Sequence, residues 1–139
     1  MENVLRISEA ASLALHAVVY LWSRGGRASA GRLARDLGVS EHHLSKVLQR
    51  LGRAGIVRSS RGPGGGFELV EGGGEMRLLD VFEAVEGGFR PTDCLLPRRI
   101  CSGRSCVFGD LVVSLNDRVL DYMRSTRISD LAEVYASPE

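Results

Sequence analysis

Apolar residues recur every three or four positions through most of this chain, which predicts a mainly helical protein. Between Ser8 and Ser23 the stripe is Ala10, Leu13, Ala14, Ala17, Val18 and Leu21, with Trp22 near its end. A second, shorter helix is expected over Ala28–Leu37, with Leu33, Ala34 and Leu37 inward and Gly38 at its stop. Gly38-Val39-Ser40 then makes a tight turn, and Ser40 is the expected N-cap of a third helix. There Leu44, Val47, Leu48 and Leu51 form the buried stripe, and Gly55 ends the helix. Helix, tight turn, helix is a helix-turn-helix. The period then changes: Ile56-Val57 and Phe67-Leu69 are short β-type runs on either side of a glycine-rich loop.

Glu71-Gly72-Gly73-Gly74 follows as a linker-like turn, and Arg77–Val85 carries a further amphipathic helix ending at Gly87-Gly88. Residues 89–106 show no period and contain all three cysteines. Loops this long are usually functional or disordered. From Cys106 onward Phe108, Leu111, Val112, Leu115, Val119 and Tyr122 return to helical spacing. Ile128–Tyr135 is a last short helix, with Ser137-Pro138-Glu139 a frayed end. Two parts are expected: residues 1–74, a winged helix-turn-helix, and residues 75–139, holding the connector helix, the loop and the long helix. The fold class is thus mainly α with a small β-hairpin wing.

Chemistry enters with the polar face of the third helix, which carries His42, His43, Ser45, Lys46, Gln49, Arg50 and Arg53. Nearly all are hydrogen-bond donors. A donor-rich helix followed by a basic hairpin suits duplex DNA, with the helix in the major groove and the hairpin on phosphates or the minor groove. The expected contacts are Ser40, His42, His43, Ser45, Lys46, Gln49 and Arg50 on the helix. On the wing they are Arg58, Ser59, Arg61 and Gly64. Adjacent helical residues point about 100° apart, so His42 and His43 do not face one base pair. Charge agrees: residues 1–70 hold ten Lys and Arg against five Asp and Glu, whereas residues 71–139 hold eight against twelve.

The 139 residues, 44% hydrophobic and 25% charged, are ordinary for a globular protein with a real core. No apolar run approaches the roughly 20 residues that span a bilayer. MENVLRISEA lacks a signal-peptide core, so a cytoplasmic protein is expected. GPGGG lacks the Lys-Ser/Thr of a phosphate-binding loop, and no paired carboxylates or nucleophile motif is present, so no enzyme is expected.

Cys94, Cys101 and Cys106 form C-x6-C-x4-C. In a reducing compartment structural disulfides are disfavoured, and an odd count leaves one thiol over. Three thiols within thirteen residues of loop suit soft-metal chemistry, an iron–sulfur cluster or zinc, although a C-x2–4-C zinc knuckle is missing. Arg98, Arg99 and Arg104 nearby favour thiolates. His16, with Ser12 and Glu9 on the same face of the first helix, is a further candidate ligand. Asp93 and Asp110 are weaker ones.

With these motifs together, the chain resembles the Rrf family of bacterial winged-helix regulators from residue 6 to about 125. LSKVLQRLGRA followed by GIVRSSRGPGGGFEL resembles the family's recognition helix and wing. LLDVFEAVEG and a three-cysteine loop before a long helix match it in order. The resemblance implies a homodimeric transcription factor, paired through the long C-terminal helix, on an approximately palindromic duplex operator. It places base reading on His42, Ser45 and Lys46 and a minor-groove arginine on Arg61.

It also implies an iron–sulfur cluster on Cys94, Cys101 and Cys106, although the family's cluster binders space these about five and five apart rather than six and four. The fourth ligands known in the family fall on Gly109 and Ser12 here, neither a good donor. His16 resembles the first-helix histidine of the family's two-iron redox regulator, with Glu9 or Ser12 as substitutes. A two-iron two-sulfur cluster is favoured, and ligand count also admits a four-iron one. Such a protein senses redox state, nitric oxide or iron–sulfur supply. The alternative is a cluster-free regulator of the same fold, controlled by thiol oxidation or a partner protein.

Overall fold

In a computed structural model, residues 7–89 and 93–136 are described, and the positions 1–6, 90–92 and 137–139 lie outside the described residues. The first helix, α1 (Glu9–Arg24), begins where the Ser8 side chain accepts from the Ala11 N–H. The second, α2 (Ala30–Leu37), is shorter than its apolar pattern, because Ser29 caps it and Ala28 has another task. Gly38, left-handed at φ 68°, turns the chain into α3 (Glu41–Arg53), capped by Ser40 as expected.

The hairpin is β1 (Val57–Ser60) and β2 (Gly66–Leu69), antiparallel from Val57↔Leu69 to Ser60↔Gly66. Its first strand starts one residue later than Ile56 and runs three further than Val57. Ala28 exchanges both backbone hydrogen bonds with Phe67, at 2.8 and 3.0 Å, and adds a third edge to the hairpin.

The glycines after the hairpin are not a linker. Gly73 and Gly74 are buried in a 3-10 turn, and a Cβ at Gly74 would lie 2.5 Å from the Trp22 ring. Helix α4 (Leu78–Glu86) follows, its first turn secured by Asp80 accepting from the Arg77 N–H at 2.9 Å. The long helix, α5 (Leu111–Ser125), starts later than its pattern because Gly109, at φ 61°, closes a turn on the Cys106 carbonyl. The last helical segment is only a 3-10 turn, Ile128–Leu131.

One core unites these elements. Val18, Leu33, Leu44, Leu48, Leu51, Val81 and Ile128 are fully buried, drawn from α1 to α4 and the C-terminal turn. After α5 the chain returns to α4: Leu78 N–H bonds the Thr126 carbonyl and Ile128 N–H the Met76 carbonyl. Tyr20 on α1 donates to Asp36 on α2, which holds the phenol above its usual pKa, and its ring packs at a tilt against Tyr135.

Helix α5 is the exception. Met123 is its single buried residue, while Leu111, Leu115 and Tyr122 are 49%, 38% and 56% exposed. Val119 packs against the core, but Leu111, Leu115 and Tyr122 of its apolar stripe, preceded by Phe108 at 48%, stay exposed.

Because Ile128 seats the chain end in the common core, Ile128→Ala is expected to cost about 2–5 kcal/mol. Urea unfolding followed by both far-UV signal and Trp22 fluorescence should remain one coincident transition. Two separated transitions would show that the C-terminal turn folds apart from the helices.

Candidate nucleic-acid interface and cysteine loop

The buried stripe of α3 sets the direction of every other side chain on it. At 100° per residue the face opposite Leu44, Val47, Leu48 and Leu51 is His42, Ser45, Lys46, Gln49 and Arg53. All but the half-buried Ser45 are exposed. His42, Lys46, Gln49 and Arg53 follow one another at intervals of four, three and four, an uninterrupted donor stripe. Arg53 is absent from the contacts expected from sequence, although that spacing alone places it there.

His43 and Arg50 lie on the flank instead. His43 Nδ1 is 3.3 Å from the Glu9 carboxylate on α1, and Arg50 Nη1 donates to the Val85 carbonyl on α4 at 3.3 Å. Ser40 is engaged as the cap, accepting from the His43 N–H. Glu41 turns toward Gly31 on α2, away from the donor stripe.

On the wing, Arg58, Ser59, Arg61 and Gly64 are all exposed. The glycines serve tightness rather than mobility. A Cβ at Gly65 would sit 2.5 Å from the Ser60 carbonyl oxygen, and one at Gly66 2.5 Å from that of Ala28. The Gly65 N–H closes the turn on the Gly62 carbonyl at 2.8 Å and presents Arg61 at the tip. Glu68 accepts Arg27 at 3.1 Å and Arg58 at 3.5 Å.

In the cysteine loop, Cys94 is half-buried and Cys101 and Cys106 are exposed, with no disulfide among them. Asp93 forms an ion pair with Arg99 at 2.5 Å, which raises the guanidinium pKa, with Cys101 and Cys94 adding in the same sense. The Phe108 N–H points at Cys106 Sγ, 3.4 Å away. His16 is exposed on α1, its Nδ1 2.6 Å from the Ser12 carbonyl oxygen. A carbonyl only accepts, so Nδ1 is the donor in this contact and Nε2 is the ring nitrogen left for another partner.

The expected ligands are not gathered in one chain. Glu9 is drawn to His43, Asp93 to Arg99, and Asp110 stands exposed before α5. Among the described residues, no three His, Cys, Asp or Glu side chains converge on a metal-sized site.

Residues 7–134 match the family Rrf2, described as "Iron-dependent Transcriptional regulator". The HTH-type transcriptional regulator IscR of Pectobacterium atrosepticum is 29% identical over 113 residues, 81% of this chain and 69% of that protein. Protein aau3 of Rhizobium meliloti is 35% identical over 91 residues, 65% of this chain and 59% of its own length. The solved structure of CymR, the global cysteine regulator of B. subtilis, superposes with a TM-score of 0.72 at 26% identity. It covers 94% of this chain and 98% of its own.

The two arginines of α3 are expected to behave differently. Arg53→Ala should flatten the salt dependence of duplex DNA binding by about 0.9 in log–log slope and leave stability unchanged. Arg50→Ala should lower unfolding free energy by about 1 kcal/mol through the lost Val85 bond. Equal slopes and equal stabilities for the two variants would contradict the division of the helix into donor stripe and flank.

Proposed function

This chain belongs to the Rrf2 family of transcriptional regulators, and from that premise we propose that it is a homodimeric DNA reader controlled by its cysteine loop. Its family and relatives are transcriptional regulators, not enzymes. Among the described residues no helix is long and apolar enough to cross a membrane. A place in the cytoplasm, beside the chromosome, fits a DNA ligand.

Residues 1–74 supply the DNA contacts and residues 75–139 the dimer and the sensor, around a shared core. The stripe His42, Lys46, Gln49 and Arg53, with Ser45 beside it, enters the major groove. The hydroxyl, amide and imidazole groups suit base edges, and the charged groups suit phosphates. Arg61 enters the minor groove from the wing, with Arg58, Ser59 and the Gly64 backbone along the phosphates. Ser40, His43 and Arg50 contribute by fixing the helix. A second copy of α5 covers the exposed stripe from Leu111 to Tyr122, and the two-fold axis matches an approximately palindromic operator.

The donor set of Cys94, Cys101, Cys106 and His16 fits an iron–sulfur cluster by its chemistry: three thiolates and an imidazole are iron ligands. The observation that carries this reading is the Nδ1–H of His16 held on the Ser12 carbonyl, which orients Nε2 outward as metal-binding histidines require. In this reading His16 comes from the partner's α1, which is consistent with His16 and the three thiols not gathering within one chain among the described residues. A cluster there would respond to oxidants, nitric oxide or iron supply by changing charge or being lost. The chain's own part is to hold the 89–106 loop in one arrangement while ligated and release it otherwise. That shift alters the spacing of the two recognition helices, which must stay about one DNA turn apart.

A second reading, reversible oxidation of thiols, is favoured by the exposure of Cys101 and Cys106.

Protein purified without oxygen is expected to show broad visible absorbance with stoichiometric iron and sulfide. His16→Ala should shift or abolish the band, and Cys101→Ala should abolish it. Colourless protein after reconstitution, with no sulfide, would leave thiol oxidation as the sensing chemistry.

A further inference from the structure

The loop that carries Arg61 is braced by a residue belonging to neither strand. Arg27, in the turn between α1 and α2, sends Nη2 to the Glu68 carboxylate at 3.1 Å and Nη1 to the Gly64 carbonyl at 3.4 Å. The same Glu68 oxygen lies 3.5 Å from Nη2 of Arg58, its cross-strand partner. The two backbone bonds between Ala28 and Phe67 give Arg27 a fixed root beside the hairpin.

Glu68 is the anomaly. An acid among Arg27, Arg58 and Arg61 repels the phosphates that a wing meets, so attraction to a polyanion gives no reason for it. Nor does stability, since ion pairs at this degree of exposure contribute little. What the arrangement does supply is direction. The carboxylate holds one arm of the Arg27 fork while the other arm grips the tip of the turn at Gly64, three residues past Arg61.

We propose that Arg27 and Glu68 are positioning residues for DNA recognition. They lock the wing tip through the Gly64 carbonyl and so fix where Arg61 meets the groove. Arg27 acts through the loop, because both of its terminal nitrogens are engaged by the hairpin, Nη1 at Gly64 and Nη2 at Glu68. The inference rests on the wing being a DNA-binding element, and it goes beyond that by assigning two residues that do not touch DNA.

The sign of one effect decides it. By charge alone, Glu68→Gln removes a repulsive group and tightens binding to any duplex. As a positioning residue, its loss weakens binding only where Arg61 must be well placed.

The test uses a duplex selected from a random-sequence pool by the unaltered full chain, and a scrambled duplex of the same composition. Anisotropy titrations compare the unaltered chain with Glu68→Gln, Arg27→Lys, Arg61→Ala and the Glu68→Gln/Arg61→Ala double variant, with thermal unfolding as the check on folding. Glu68→Gln is expected to lose about tenfold on the selected duplex. It should bind the scrambled duplex as well as or better than the unaltered chain. Arg27→Lys, which keeps the charge but not the fork, should also lose affinity. Adding Arg61→Ala to Glu68→Gln should cost far less than Arg61→Ala alone. Tighter binding of the selected duplex by Glu68→Gln, full activity of Arg27→Lys, or additive losses would overturn the positioning role. Failure to select any duplex would overturn the DNA reading itself, and the positioning role with it.

Discussion

Four buried side chains, Leu44, Val47, Leu48 and Leu51, decide which way every polar group of the recognition helix points. Each is worth about 1.5–3 kcal/mol on burial, against at most about 1 kcal/mol for a surface ion pair. The apolar seat therefore sets the rotation of α3, and the polar contacts adjust to it. His43 and Arg50 fall on the flanks and tie the helix to α1 and α4, and Glu41 turns toward α2, while His42, Lys46, Gln49 and Arg53 remain outward. A one-residue shift of that stripe would turn the donors by about 100° and carry them off the outward face.

The same seat brings distant parts of the chain together at the end of α4. Arg50 reaches the Val85 carbonyl, and Ser8 at the start of α1 donates to Glu86. Phe89, its ring tilted against Phe82, then leads toward the cysteine loop. Cys94, the first thiol of the proposed sensor, thus lies nine residues beyond Val85, the contact made by Arg50 of α3. A loop with two arrangements would have a short mechanical path to α3, without any need to deform the core.

Much of this was legible in the sequence because it depends on period and local chemistry. The stripes of α1, α3 and α4, the cap at Ser40 and the stop at Gly38 stand where apolar spacing and capping residues put them. Long-range contacts were not legible. Ala28 carries a helix-like neighbourhood but pairs with Phe67, and Gly73-Gly74 resembles a linker yet packs under Trp22. The donor face of α3 was visible, but its division was not, because Glu9 and Val85 are far away in sequence. Arg53 was within reach by spacing alone. The cysteine loop stayed obscure for a physical reason: without a period, residue types show which chemistry is available but not which ligands meet. The bracing of the wing by Arg27 required the fold, since 41 residues separate Arg27 from Glu68.

The most direct measurement is the affinity of anaerobically purified protein for a selected duplex, before and after its iron is removed, at one fixed salt concentration. Control by the cysteine loop requires the two states to differ by tenfold or more, about 1.4 kcal/mol. Identical affinities in iron-loaded and iron-free protein would leave a DNA-binding protein whose cysteine loop does not govern it.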